Sequence, residues 1–405
     1  MSHNRHRYNR RAFLSKSLSG AASLGLVGMS PKVLSLKNPV NKKIIHRQLG
    51  KTGIKLPVVS MGITRADIIE IIKASYKIGV RYFSTVHWYA GGLCEKILGN
   101  AINDLGVREH VLLATKVPTG RHHNGTWQKN IKDLFLERFF LSMERLQTDY
   151  LDILYLYNID SVEEISKPEL LEALTELKQQ KKIRFVGFST HSDNLELLNK
   201  AAEMNFYDVV AVAFNYTMFE NKALIKALEN AAQKGIGLVA MKTQCGAAWG
   251  VDGYRKPKEQ SKNQTAMLKW ILRHNFISTA IPAIEAFDHV NEDFSVAYDL
   301  EYTAKEKRFL DDENIRYSIG FCQQCQKCVA TCPKGIDIPT LMRIHMYAYQ
   351  YQNMDLVNLA QKEMDASNGI SHCRNCDECK AVCFNSVPIS QNISALKKLN
   401  RSLFA

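Results

Sequence analysis

YLDILYLYNIDSVEEISKPELLEALTELKQQKKIRFVGFST, residues 150–190, holds one complete strand–helix–strand unit. Residues 150–157 are nearly continuous in apolar side chains, as a strand covered on both faces requires. Residues 168–182 keep the period of an amphipathic helix, and 184–190 turn apolar again. The unit recurs outward in both directions. Strands are predicted at 56–62, 81–86, 110–117, 150–157, 184–190, 208–215, 236–243 and 277–283, with helical patterns between them such as 66–78 and 222–234. Eight units in about 240 residues predict a (β/α)8 TIM barrel. The rival, a doubly wound sheet, ordinarily carries a G-x-G-x-x-G turn after an early strand, and the sequence has none. In a barrel the chemistry lies at the C-terminal strand ends.

Charge narrows the function classes. The 405 residues carry a formal +13, yet residues 1–66 hold 13 Lys/Arg and no Asp/Glu. The remaining 339 balance 40 basic against 40 acidic side chains. A nucleic-acid-binding domain carries its own basic footprint, so nucleic acid is not an expected partner. No stretch nears the ~20 apolar residues of a membrane span, so none is expected unless the N-terminal leader stays attached. That leader is polar and basic over 1–17, then mildly apolar over 18–30 (LSGAASLGLVGMS), the layout of an export signal. Asn9-Arg10-Arg11-Ala12-Phe13-Leu14-Ser15-Lys16 resembles a twin-arginine signal, which implies export of the folded protein to the periplasm. Residues 1–40 are therefore set apart as signal and linker.

The strand ends carry a family resemblance. The segment 47–62 (RQLGKTGIKLPVVSMG), the stretch from Tyr89 through Glu95 to Leu98-Gly99, Ala114-Thr115-Lys116, Ile183 to Ser189, Phe214-Asn215 and Thr279-Ala280-Ile281-Pro282 follow in order on successive strands. Over about 44–300 the chain resembles the aldo/keto reductases, which implies carbonyl or alcohol redox chemistry on a small molecule with a nicotinamide cofactor. The resemblance places the proton-donating Tyr at Tyr89 and the Lys that tunes it at Lys116. The family's Asp position holds Ser84, and its His position holds Tyr157, so half of the tetrad is replaced. Ser84 can hydrogen-bond Lys116 but cannot hold it by charge, which leaves the lysine pKa free to fall if it is buried. Tyr157 can donate to a carbonyl as the missing His would.

The cofactor positions are altered as well. Ser189 keeps its implied place beside the nicotinamide, but the strand-six Gln is Ala211. Ala283, Glu285 and Asp288 follow Pro282, and acidic side chains repel a 2′-phosphate, so NADH is favoured over NADPH. His87, Trp88 and His191 read as pocket walls, Cys94 as a cap or buried thiol, and Cys245 as a residue of the loop after strand seven.

Eight of the ten cysteines form two matching runs, Cys322-x2-Cys325-x2-Cys328-x3-Cys332-Pro333 and Cys373-x2-Cys376-x2-Cys379-x3-Cys383. This is the ferredoxin pattern for two [4Fe–4S] clusters. Zinc sites lack such a run, and bonds within CxxC pairs are strained. In the ferredoxin pattern the fourth Cys of each run serves the other cluster. The implied sets are Cys322, Cys325, Cys328 with Cys383, and Cys373, Cys376, Cys379 with Cys332. Helical patterns at 339–350, 354–366 and 390–402 make the C-terminal part resemble the α-helical ferredoxin domain appended to some aldo/keto reductases. The expected organisation is a barrel over 44–312 and a small, mostly helical two-cluster domain over 313–405.

Clusters move single electrons and a nicotinamide moves a hydride, so joint use in one turnover requires a splitter such as a flavin, for which no sequence signature exists. Two functions stand at this point. One is an exported iron–sulfur oxidoreductase acting near Tyr89, with a redox partner protein supplying or taking electrons. The other is an electron-transfer or binding module whose barrel is catalytically silent, favoured by Ser84, Tyr157 and Ala211.

Overall fold

The computed structural model describes residues 42–121, 125–191, 194–245, 257–313, 320–364, 366–376 and 378–399. The export signal expected at 1–40 lies outside them. Eight strands form one parallel sheet: β1 (Met61–Gly62), β2 (Tyr82–Ser84), β3 (Leu112–Pro118), β4 (Leu151–Ile159), β5 (Ile183–Thr190), β6 (Val209–Ala213), β7 (Gly237–Met241) and β8 (Thr279–Ala280). Each pairs with its neighbour in chain order. Bridges Val59–Ala280 and Gly62–Ala283 join the two ends, so the sheet closes. The Ser60 amide donates to the Ala280 carbonyl at 2.8 Å.

The predicted first strand divides in two. Lys55–Pro57 pairs antiparallel with His46–Gln48 in a hairpin, and the chain joins the barrel only beyond it. The hairpin plugs the floor, where Leu49 and Leu56 lie buried in one cluster with Tyr82, Ile153, Tyr155 and Val209. Burying each such side chain is worth roughly 1.5–3 kcal/mol. Inside this cluster the Tyr82 and Tyr155 hydroxyls share a 2.8 Å hydrogen bond, which satisfies both polar tips. The hairpin turn needs Gly50: its φ is +52°, and a Cβ there would lie 2.3 Å from the Gly235 carbonyl oxygen.

Outside the sheet lie α1 (Ile69–Ile78), α2 (Leu93–Leu105), α3 (Ile131–Leu146), α4 (Pro168–Gln179), α5 (Asn194–Met204), α6 (Lys222–Gln233), α7 (Pro257–Leu272), α8 (Phe287–Ser295) and α9 (Ala304–Asp311). Helices α1 to α6 each bury one largely apolar stripe. In α6 the buried residues are Leu224, Ala227, Leu228 and Ala231, a spacing of i, i+3, i+4 and i+7.

The C-terminal part is helical, with α10 (Ile338–His345), α11 (Met354–Glu363) and α12 (Ile389–Lys398). A π-helical turn, Met346–Gln350, extends α10. This part belongs to the same compact unit as the barrel and is tied to its C-terminal mouth. Asn353 Nδ2 donates to the Thr64 carbonyl at 3.2 Å, and Gln323 Nε2 donates to the Thr217 carbonyl at 3.2 Å. Among the described residues no helix is long and apolar enough to cross a membrane.

Candidate functional site

The strand ends and the C-terminal domain enclose a chamber of about 230 Å3. Ser84 and Lys116 enter it from the ends of β2 and β3, and Tyr89 enters from the turn after β2. Lys116 Nζ donates to Ser84 Oγ at 2.6 Å and to the Thr85 carbonyl at 3.2 Å. Serine thus takes the lysine's hydrogen bond where a carboxylate would have taken its charge. Burial, with Lys242 as a second cation, brings Lys116 down to about 7.

Tyr89 departs from the expectation. Among the described residues no hydrogen bond links it to Lys116. Burial raises its pKa well above the usual phenol value, and Tyr347, Glu363 and Tyr351 raise it further. The lysine's protons point to Ser84 and Thr85, and the phenol faces the acidic and phenolic side of the C-terminal domain.

Tyr157 also differs. It lines the chamber, but its hydroxyl donates to Glu363 Oε1 of α11 at 3.2 Å, so its proton already has an acceptor. Burial, then Glu363, raises its pKa well above the usual value. Glu363 is itself paired with buried Arg343 at 2.7 Å. Ser189 is buried and is not among the residues lining the chamber. Its hydroxyl accepts from the Asn158 amide at 3.0 Å, which stitches β4 to β5.

The walls expected at His87, Trp88 and His191 separate. His191 lines the chamber, with Nδ1 2.9 Å from Asn158 Oδ1, whereas burial first lowers its pKa well below the usual value. His87 and Trp88 line a second space, a cleft of about 710 Å3 beyond Tyr157. His87 Nδ1 is 2.8 Å from Ser142 Oγ, and burial lowers its pKa to about 4. Glycine keeps this corner open: at Gly92, with φ +91°, a Cβ would sit 2.3 Å from the Arg145 guanidinium carbon. That guanidinium donates to the His87 carbonyl at 2.9 Å and pairs with buried Glu95 at 3.2 Å. Cys94 and Cys245 are buried thiols pushed up to about 12 by burial, which makes them unreactive.

Sequence reasoning missed Lys242. It follows β7 in a left-handed conformation (φ +55°) and lines the chamber, with Nζ 3.3 Å from Tyr347 Oη. The ammonium also faces the rings of Tyr347 and Tyr351 at 4.8 and 5.1 Å. A lysine at a predicted strand end was a usable signal. Tyr347, Tyr351, Arg343 and Glu363 gave none, because nothing in their spacing places them over a barrel. Two further lining groups are orphaned: Thr243 Oγ1 and Gln350 Oε1 are buried without hydrogen-bond partners. Both are free to hydrogen-bond a chamber ligand, whereas Ala211 has no polar side-chain atom to offer. Glu285 lines the same chamber and accepts from Thr64 Oγ1 at 2.8 Å.

None of the ten cysteines is joined in a disulfide. Burial pushes Cys322 up to about 12, and the thiols that oppose its ionisation are Cys328, Cys383 and Cys325. Burial pushes Cys373 up to about 11, and its thiol neighbours are Cys376, Cys332 and Cys379. Those neighbourhoods coincide with the two crossed sets that the ferredoxin pattern implies. The Val382 amide donates to Thr331 Oγ1 at 2.9 Å and ties the two runs together. Among the described residues no three His, Cys, Asp or Glu side chains converge on a single-ion site. Ligands of a cubane bind different irons and need no such convergence, so these four-thiol sets fit cubane clusters.

Residues 53–295, more than half of the chain, match the model of the aldo/keto reductase family, and 321–388 match a 4Fe-4S dicluster domain. The chain is 30% identical over 217 residues to an L-galactose dehydrogenase of Arabidopsis thaliana, covering 49% of this chain and 65% of that protein. It is 27% identical over 187 residues to an uncharacterized oxidoreductase of Bacillus subtilis, covering 45% and 57%. The chain thus spans less than two thirds of these curated relatives. Among solved structures, an aldo-keto reductase from Bacillus halodurans matches with TM-score 0.54 and 22% identity, over 66% of this chain and 95% of that one. An aldo/keto reductase from Klebsiella pneumoniae in complex with NADP and acetate matches with TM-score 0.52 and 22% identity, over 65% and 94%. At these identities the structures speak for the fold. The family match shows that the chain belongs to the aldo/keto reductase family.

Proposed function

We propose that this member of the aldo/keto reductase family is an exported iron–sulfur oxidoreductase acting on the carbonyl or alcohol group of a small molecule at the barrel mouth. The observation that carries the reading is the chamber itself, where Tyr89 and the Lys116–Ser84 pair line one cavity at the C-terminal strand ends. A bound nicotinamide would supply hydride, and Thr243 and Gln350 are the residues offered to its amide. Glu285 in the wall disfavours a 2′-phosphate and so supports NADH over NADPH. Tyr89 donates a hydrogen bond, and then its proton, to a carbonyl oxygen, as the family resemblance implies. Lys116 is the chamber cation that changes protonation near neutrality.

The crossed thiol sets support two [4Fe–4S] clusters, one on Cys322, Cys325, Cys328 and Cys383, the other on Cys373, Cys376, Cys379 and Cys332. Clusters exchange single electrons, which implies a redox partner protein. The exposed side chains of Val382 and Phe384, beside Cys383, support a docking role for that edge. Periplasmic location rests on the twin-arginine pattern at Arg10 and Arg11. The double variant Arg10→Lys, Arg11→Lys is expected to stay in the cytoplasm, and unchanged export in a fractionation assay would refute the signal.

A second reading, a catalytically silent barrel serving electron transfer, is favoured by the missing Tyr89–Lys116 hydrogen bond. Anaerobic titration of the holoprotein with NADH and NADPH, followed by cofactor fluorescence, separates the two. Saturable NADH binding supports the oxidoreductase, and binding of neither nucleotide supports the silent barrel.

A further inference from the structure

A small cavity of about 30 Å3 lies in the seam between the chamber and the first cysteine run. Cys322 and Gln324 line it from that run, and Arg343 lines it from α10. His191, Lys242 and Gln350 line both this cavity and the chamber, so they are the partition between them. Among the described residues none of Cys332, Cys373, Cys376 and Cys379 lines either space. The Cys322 thiol set is therefore the chamber's neighbour. Hydrogen bonds hold this set in place: Gln324 Nε2 donates to Cys322 Sγ and the Asn385 amide donates to Cys383 Sγ, each at 3.3 Å.

The charges around this cavity do not cancel. Its charged lining groups are Lys242 and Arg343, and among the described residues no carboxylate lines it. Glu363 neutralises Arg343 at 2.7 Å. Burial lowers the pKa of His191 well below the usual value and that of His345 to about 4, so both imidazoles are neutral at pH 7. Lys242 keeps its charge: burial opposes it, but Tyr347 and Tyr351 hold its pKa above the usual lysine value. On the chamber side the charged lining groups are Glu285, Lys116 and Lys242 itself. The uncompensated charge beside the Cys322 set is thus the Lys242 ammonium. A cubane on four thiolates is anionic, and each added electron makes it more so. A cation in a buried seam favours that electron more strongly than the same cation in water. The Cys373 set has a lysine of its own, Lys397 of α12, whose Nζ donates to the Cys373 carbonyl at 3.0 Å, but it is exposed and screened.

We infer that the two thiol sets are electrically inequivalent: Lys242 ties a cluster on Cys322, Cys325, Cys328 and Cys383 to the charge in the chamber, and a cluster on the other set lies outside this coupling. The inference rests on the proposal of two [4Fe–4S] clusters and is independent of the carbonyl chemistry and of the nucleotide. Lys242 is a positioning residue in this role, acting through its charge rather than by contact with a ligand. The coupling is reciprocal. A change of charge in the chamber alters electron uptake at the Cys322 set, and reduction there alters the chamber's affinity for a charged ligand by the same factor.

The test is a redox titration of the anaerobic full-length holoprotein at about pH 8, followed by electron paramagnetic resonance, with the two signals assigned by Cys322→Ser and Cys373→Ser. Lys242→Met is expected to weaken electron uptake at the Cys322 signal about tenfold, a fall of ~59 mV in its midpoint, and to leave the Cys373 signal in place. Lys242→Arg should restore the midpoint. Glu285→Gln removes the opposing chamber charge and should raise the same midpoint by a smaller amount. A merely structural role for the lysine would not give shifts of opposite sign at one signal. Should Lys242→Met lose iron, Glu285→Gln decides instead. A Cys322 midpoint that stays in place in Lys242→Met, one that does not rise in Glu285→Gln, or a shift confined to the Cys373 signal would overturn the inference. Unaltered protein without iron, or without two signals, would instead overturn the cluster proposal beneath it.

Discussion

The barrel and the C-terminal domain are stabilised in opposite ways. The barrel closes through strand pairing around an apolar interior in which Leu49, Leu56, Tyr82 and Tyr155 are at most 1% exposed. The C-terminal domain has three short helices, and its two cysteine runs sit on irregular backbone with left-handed residues such as Gln324 and Gln326. Clusters held by those thiols are expected to supply much of its order. The barrel can therefore exchange catalytic residues without losing its fold, whereas the smaller domain cannot exchange its cysteines.

Removing the metal should sharpen this contrast most. Metal binding by a small domain is largely folding free energy. Chelation of iron under denaturant-free conditions is expected to melt 320–399 while the barrel's circular dichroism signal and its cooperative thermal transition persist. Loss of both together would show that the two parts fold as one. Next in size is the seam. Glu363→Ala leaves the buried Arg343 guanidinium unpaired and frees the Tyr157 hydroxyl, so a loss of about 3–5 kcal/mol is expected in chemical denaturation. A loss under 1 kcal/mol would mean that the C-terminal domain is not seated on Tyr157.

A smaller effect concerns the barrel alone. Burial raises Asp293 to about 7, although it accepts a 2.6 Å hydrogen bond from Gln244. The native state therefore keeps a proton that the unfolded chain loses near the ordinary carboxylate value of 3.8. The resulting penalty is absent below that value, grows as pH rises toward about 7 and is constant above it. Asp293→Asn should stabilise the protein at pH 8 by about 1–4 kcal/mol and not at pH 4. Parallel pH–stability curves for the two proteins would contradict the burial argument. The smallest effect expected is on rate. With Lys116 at about 7, kcat/KM for carbonyl reduction should fall up to tenfold for each pH unit above that value. Lys116→Arg should move the fall to higher pH, and an unmoved profile would assign the titration to another group.

The two parts also differ in how far the sequence revealed them. The barrel's strands and helices were legible because period and apolar runs are local properties, whereas the division of 56–62 between hairpin and barrel was not. Its site was half legible. Ser84 and Lys116 meet as chain position implied, but Tyr157 is diverted to a partner that local pattern does not encode. Glu363 approaches from 206 residues away in sequence to take the Tyr157 proton. In the C-terminal domain the reverse holds. Cysteine spacing implied the two crossed thiol sets whose members neighbour each other in the fold, while the placement of α11 over the cleft had no signature.

The crossing of the thiol sets is the central claim, and iron counting with electron paramagnetic resonance tests it most directly. Anaerobic holoprotein should contain about eight irons per chain, four to each cluster. Cys383→Ser and Cys322→Ser should disturb the same signal, and Cys332→Ser the other. Zinc in place of iron, or a Cys383→Ser spectrum that matches Cys373→Ser instead, would contradict it.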